Sequence, residues 1–237
     1  MTARTDAPGP TEGPEAVPGP EARAAADEAL LLRRQAGDEL RAVIDALLSR
    51  WTPAAGVDEA IGHLRAARRA LVGDDGTPYP ESPGMWVDGT HSGWTTYIDA
   101  SVFGGGINPL GMPMRMERGF DERGHMYAEG VVRLGRAYEG GPGMVHGGYV
   151  AGLIDHMFGA AMHSEDVTAV TATLTVRFVA PTPVHEDLRL RAWFEPRRGR
   201  RLLGRATCHH GEVLTAEAEG LFINVDMGDM ARRVRRS

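Results

Sequence analysis

The sequence predicts an α+β fold in which one long, almost wholly apolar helix packs against a curved antiparallel sheet. Three observations predict it. Residues 145–162 are a run of small and apolar residues behind a glycine-rich loop, Gly140-Gly141-Pro142-Gly143. Six strand-like stretches flank that run, two before it and four after. The clearest of them, Thr171-Ala172-Thr173-Leu174-Thr175-Val176-Arg177-Phe178, alternates with the period of two expected of a strand with one buried face. A helix that is apolar nearly all round is buried, and a sheet with one apolar face needs a second layer to cover it.

Taken in order, residues 1–20 are Pro, Gly, Ala, Thr and Glu for the most part. Such a composition cannot bury enough apolar area to offset chain entropy, so a disordered tail is expected. Residues 21–72 read as a helical extension. Leu30, Leu31, Leu40, Val43, Ile44, Leu47 and Leu48 recur near the 3.6-residue period. Trp51-Thr52-Pro53 ends this first helix, because a proline disfavours helical geometry at the residue before it. A second helix is expected from Val57 to Leu71, with Ile61, Leu64, Ala67 and Leu71 on one face and Gly73 as its stop.

Residues 73–113 are rich in Gly, Pro, Ser and Asp and carry Trp86, Trp94 and Tyr97. They read as a long connection with one short strand over 94–103, serving as a surface wrap or a lid. The sheet-and-helix domain follows over 114–227. Strands are expected at 114–117 and 125–134, then the helix, then a four-strand meander at 169–179, 188–195, 202–210 and 213–225. Arg198-Gly199 and His210-Gly211 supply turns between neighbours. Residues 228–237 form a basic tail.

Composition narrows the function classes. A net charge of −6 gives no general attraction for nucleic acid or for anionic membranes. All 26 basic side chains are arginine, which mutational bias explains more simply than function. The single cysteine, Cys208, excludes an intramolecular disulfide framework and a cysteine-rich zinc site. Neither a signal peptide pattern nor a membrane-spanning run is present, so a soluble cytoplasmic protein is expected. The absence of a Gly-x-Ser-x-Gly elbow leaves a serine hydrolase route unsupported.

The chemistry concentrates on the apolar run. Asp155 is a lone carboxylate in its middle, and a carboxylate buried there is costly without a partner or a purpose. The loop before the helix would present free backbone N–H groups at the helix start, where developing negative charge is stabilised. His146 stands at the cap, with a structural and a functional role equally open. His156 reads as structural, while His163, His209 and His210 lack metal-ligand company. Arg197, Arg198, Arg200 and Arg201 cluster at a turn; Arg forks suit phosphate oxygens, and a solvated turn is the plainer reading.

Met144-Val145-His146-Gly147-Gly148, with Asp155 nine positions after His146, resembles the motif of hotdog-fold acyl-CoA thioesterases of the PaaI/4HBT type. Val170–Val176, Phe178–Pro183 and Ala216–Phe222 resemble that family's central strand, its exit and its last strand. The resemblance covers residues 107–226 and leaves the first hundred unexplained. It implies a hotdog fold, with a sheet wrapped around one central helix, and hydrolysis of a fatty or aryl acyl-CoA without a metal or other cofactor. It further implies that Gly147 polarises the thioester carbonyl, that Asp155 is base or nucleophile, that Thr171 orients Asp155 or the attacking water, and that His146 shapes the loop. Asn108, Gly148, Arg198 and Arg200 are the candidate substrate-binding residues. The implied assembly is a homodimer or homotetramer in which Asp155 of one subunit faces the His-Gly-Gly loop of another. Two other functions compete. Gly106-Ile107-Asn108-Pro109-Leu110 faintly resembles a hotdog hydratase or dehydratase motif, but glycines stand where its acid and base belong. A non-catalytic acyl-CoA-binding module is the third reading.

Overall fold

The computed structural model describes residues 20–72, 100–162, 168–196 and 199–226, with side chains described from Asp27 onward. Two helices come first, α1 (Pro20–Ser49) and α2 (Ala54–Val72). The break between them falls at Pro53, as the sequence requires, and the Pro53 carbonyl then accepts the Gly56 and Val57 amides to start α2. Strands β1 (Arg115–Phe120) and β2 (Met126–Arg133) form a hairpin. A 3-10 turn and two short strands, β3 (Glu139–Gly141) and β4 (Met144–Val145), lead into α3 (Gly147–Ala161). Strands β5 (Ala169–Phe178), β6 (Asp187–Phe194), β7 (Arg201–His210) and β8 (Val213–Asn224) complete the domain.

The six long strands make one antiparallel sheet in the order β1-β2-β6-β7-β8-β5. The expected four-strand meander is therefore corrected: β6-β7-β8 is a meander, but β5 crosses to the far edge beside β8. β6 pairs instead with β2 and β7, so the link between β5 and β6 crosses the sheet. A second correction concerns residues 100–111, where the structure has successive turns rather than the end of a strand; Gly105 N–H bonds to the Ser101 carbonyl and Gly111 N–H to the Asn108 carbonyl. Trp86, Trp94, Tyr97, His163, Arg197, Arg198 and the basic tail lie outside the described residues.

The core lies between α3 and the inner face of the sheet. Leu153, Ile154, Met157, Phe158 and Ala161 of α3 are buried against Leu188, Leu190, Phe194, Leu202 and Phe222. Phe158 decides how closely the helix lies. Its ring sits 5.6 Å from that of Phe194 and 4.9 Å from that of Phe222. It rests over Gly204 and Gly220, which are paired across β7 and β8. A Cβ on Gly204 would come within 2.5 Å of the Phe158 ring. Two facing glycines thus make a hollow in the sheet that only an aromatic side chain from the helix fills.

Candidate active site

The glycine-rich loop is tied down before α3 begins. His146 N–H donates to the Tyr138 carbonyl at 2.8 Å, and Val145 N–H to the Thr182 carbonyl at 2.8 Å. The His146 backbone is extended (φ −60°, ψ 128°), and its Nδ1 accepts the Gly148 N–H at 3.0 Å. His146 is thus the N-cap of α3, doing with an imidazole what Ser or Asp does elsewhere. An Nδ1 that accepts carries no proton, so the neutral ring bears its hydrogen on Nε2.

This cap divides the two glycine amides that the sequence left together. The Gly148 N–H is spent on His146. The Gly147 N–H, among the described residues, has no acceptor and lies at the positive end of the helix dipole. A groove of about 560 Å³ opens there, lined by Met144, His146, Gly147, Val150, Phe178 and Pro181 among others. Apart from the loop backbone and the side chains of His146 and Thr182 the lining is apolar, and a preorganised donor at its end is placed to act on charge that develops in the groove.

Asp155 is half-buried rather than sealed in the core, which corrects the expectation drawn from the apolar run. The sheet covers one side of the helix and leaves the Asp155 side partly open. Thr171 Oγ1 donates to Asp155 Oδ1 at 2.8 Å, from the edge strand β5. Strict alternation along β5 would not put it there. Leu174 and Val176 pack toward the core, so an unbroken strand would turn Thr171 outward with Thr173 and Thr175. The register with β8 shifts between Thr171, opposite Phe222, and Thr173, opposite Leu221. The extra residue, Ala172, is a β-bulge that reverses the parity and aims Thr171 at the helix.

The other candidate residues stand apart from this pair. Asn108 spends its side chain on its own loop, with Oδ1 accepting from Leu110 N–H and Nδ2 donating to the Ala100 carbonyl. Arg200 lies at the turn before β7, its Nε donating to the Asn224 carbonyl at 3.3 Å. His156, next to Asp155, points its Nε2 into the protein without a partner among the described residues. Burial pushes its pKa down, with Asp155 opposing that more weakly. Cys208 is buried, and burial pushes its thiol up. Sequence reasoning passed over Gly152, one turn before Asp155. A glycine in mid-helix costs about 1 kcal/mol relative to alanine and so signals a close approach; the ring of Phe103 fills that place.

Residues 142–217 match the family model of the thioesterase superfamily. This domain is a hotdog-fold member of the thioesterase superfamily. The chain is also 34% identical over 90 residues to the acyl-coenzyme A thioesterase THEM4 of Mus musculus. That match covers 37% of this chain and 39% of the mouse protein, so the chain spans well under half the length of its curated relative. A solved thioesterase superfamily protein is 27% identical with a TM-score of 0.68, covering 81% of this chain and 94% of that one. Residues 73–237 make up only about 70% of the chain, so the likeness extends beyond the hotdog domain into the N-terminal helices. Among the described residues no helix is long and apolar enough to cross a membrane.

Proposed function

We propose that the protein is an acyl-CoA thioesterase, hydrolysing a fatty or aryl acyl-CoA to the free acid and CoA. The observation that carries this reading is the 2.8 Å bond from Thr171 to Asp155 on the same helix whose first amide, Gly147, is unspent. The superfamily match and the mouse acyl-CoA thioesterase support it.

The chemistry follows from the parts. Asp155 takes a proton from a water molecule as the water oxygen attacks the thioester carbonyl carbon. Thr171 holds the carboxylate in one orientation, which keeps its free lone pairs aimed at the water. The carbonyl oxygen becomes an oxyanion and meets the Gly147 N–H; loss of such a donor typically costs about 10²–10³ in rate. The tetrahedral centre then collapses, the C–S bond breaks, and the CoA sulfur leaves with a proton returned from Asp155. Attack by Asp155 itself, through an acyl-enzyme anhydride that water then opens, uses the same geometry.

One chain does not supply both halves. Gly147 and Asp155 are eight residues apart on one helix, about 12 Å along its axis. A reacting carbonyl needs both groups within about 3 Å. The active unit is therefore read as two copies, with Asp155 of one facing Gly147 of the other. The edge strand β5 supports this: it pairs with β8 on one side, and Ala172, Thr173, Thr175 and Phe178 are exposed. An open edge of this length is a template for a second strand.

The test is release of free CoA thiol from a panel of short-chain, medium-chain, long-chain and aryl acyl-CoAs. Turnover by the wild type, lowered about 10²-fold or more in Asp155→Asn with the fold intact, is the expected result. A folded Asp155→Asn protein that hydrolyses as fast as wild type would sink the assignment of Asp155. No turnover of any thioester by the wild type would sink the thioesterase reading.

A further inference from the structure

We propose that Arg41 of α1 is a positioning residue of the hydrolytic site, acting through the strap formed by residues 101–112; the link to hydrolysis rests on the thioesterase reading above. Among the described residues, no group of the N-terminal helices bonds to Asp155 or Gly147, and α2 buries none of its residues. One point on α1 behaves differently. The Arg41 side chain is only 10% exposed, although most of its helix is open to solvent. Its Nη1 donates to the carbonyls of Asn108 (3.0 Å) and Gly111 (3.2 Å), and its Nη2 to the carbonyl of Gly106 (2.9 Å). Nη2 also pairs with Asp38, one turn earlier, at 2.6 Å. Three carbonyls of one loop therefore converge on a single guanidinium, whose planar fork suits them as an ammonium does not. Gly37, a turn before Arg41, lets the helix lie directly on the strap: a Cβ there would sit 2.5 Å from the Gly106 carbonyl oxygen.

The same strap crosses the first half of α3. The Phe103 ring occupies the place of a side chain at Gly152, where a Cβ would meet it at 2.1 Å. Gly104 lies against the buried Nε2 of His156. The Tyr149 hydroxyl donates to the Leu110 carbonyl at 3.1 Å, and its ring packs 5.1 Å from Phe103 and 4.4 Å from Tyr138. Tyr149, Gly152 and His156 follow one another at helical spacing, so the strap runs along one stripe of α3. That stripe brackets the chemistry. Tyr149 lies in the turn that carries the Gly147 amide, and Gly152 and His156 lie on either side of Asp155. The sheet-side packing of Phe158 sets how closely α3 lies, and the strap along the opposite stripe holds its rotation. A shift of about 1 Å between catalytic groups costs about 100-fold in rate, so a clamp remote from the reacting atoms governs turnover.

The experiment compares wild type, Arg41→Ala, Arg41→Lys and Gly37→Ala in the full-length chain. Two readings are taken: steady-state hydrolysis of the acyl-CoA that wild type turns over best, and hydrogen exchange of the amides over 101–112 and 147–156. In Arg41→Ala, kcat is expected to fall about 10- to 100-fold with KM within about twofold, and exchange is expected to rise in both segments. Millimolar guanidinium added to Arg41→Ala is expected to restore most of the lost kcat. Arg41→Lys remains impaired, because a single ammonium nitrogen lacks the two-nitrogen fork that spans the three carbonyls. Gly37→Ala gives the same pattern with Arg41 present, which keeps the test open should Arg41→Ala fail to fold.

Unchanged exchange over 147–156 in the folded variants overturns the proposal, whatever the activity. So does a raised exchange with unchanged kcat, or a loss of kcat that matches the loss of folded protein and does not respond to guanidinium. A wild type that hydrolyses no thioester overturns the thioesterase reading instead, and the exchange comparison still decides whether Arg41 holds α3.

Discussion

The two sides of α3 are made from the same fifteen residues and do opposite work. On the sheet side, Leu153, Ile154, Met157, Phe158 and Ala161 are sealed in the apolar core. On the other side stand Gly147, Gly148 and Asp155, partly open, with a polar partner at Thr171 and a free amide at Gly147. The sealed side holds the fold by burial, at about 25 cal/mol per Å² of apolar surface removed from water. The open side leaves its polar groups with unused hydrogen-bonding capacity, which is a cost to folding and a resource for chemistry. The comparison teaches that the candidate site is built by leaving part of a core helix uncovered, not by adding a separate catalytic loop.

The largest break in this contrast comes from the sealed side. Phe158→Ala empties the hollow over Gly204 and Gly220 and is expected to cost about 3–5 kcal/mol, read as a lower midpoint in urea unfolding. Asp155→Asn on the open side is expected to leave that midpoint nearly unchanged. If the two variants lower stability equally, the division between the faces is wrong.

A smaller effect sharpens the open side. Thr171→Val keeps the β-branched shape and removes the donor to Asp155, so kcat is expected to fall about 10-fold, the equivalent of one hydrogen bond to a charged group. Deleting Ala172 removes the bulge and turns Thr171 outward, and should reproduce that loss with the threonine still present. Full activity in the deletion variant would show that the bulge does not aim Thr171.

The smallest effect belongs to the boundary between the faces, at His156. Burial holds its folded-state pKa below the ordinary 6.5, so the unfolded chain takes up a proton first as pH falls. The stability that neutral His156 contributes is therefore whole above about pH 6.5 and declines below it, until the native ring itself is charged. Melting temperature measured from pH 8 to pH 5 should carry this slope in wild type and lose it in His156→Gln. An identical slope in both proteins would assign the acid sensitivity elsewhere.

Much of this molecule was legible in the chain alone. The apolar run at 145–162 reads as a helix and is one, over Gly147–Ala161, because the length and apolar pattern of a segment are local properties. The six long strands fall within a few residues of their expected places for the same reason. The breaks at Pro53 and the turn at Gly211 follow from backbone chemistry that each residue carries with it. The resemblance of the His-Gly-Gly motif and Asp155 agrees with the superfamily match over 142–217.

Other features were not legible, each for a physical reason. The place of β5 at the far edge depends on where α3 ends in space, and a sequence does not state which strands become neighbours. Asp155 reads as buried because its sequence neighbours are apolar, yet its exposure is set by how far the sheet reaches around the helix. Arg41 looks like any solvated arginine of an amphipathic helix until the carbonyls of Gly106, Asn108 and Gly111, more than sixty residues away, are folded onto it.

The sequence by itself determined the elements, the apolar helix and the residue types of the site, since periodicity and backbone preference act over a few residues. Only the tertiary structure decided which of two adjacent glycine amides is free, which way Thr171 points, and which loop the first helix holds. Those depend on a cap, a single bulged residue and a guanidinium shared among distant carbonyls. Each is a contact between parts of the chain that have no local reason to meet.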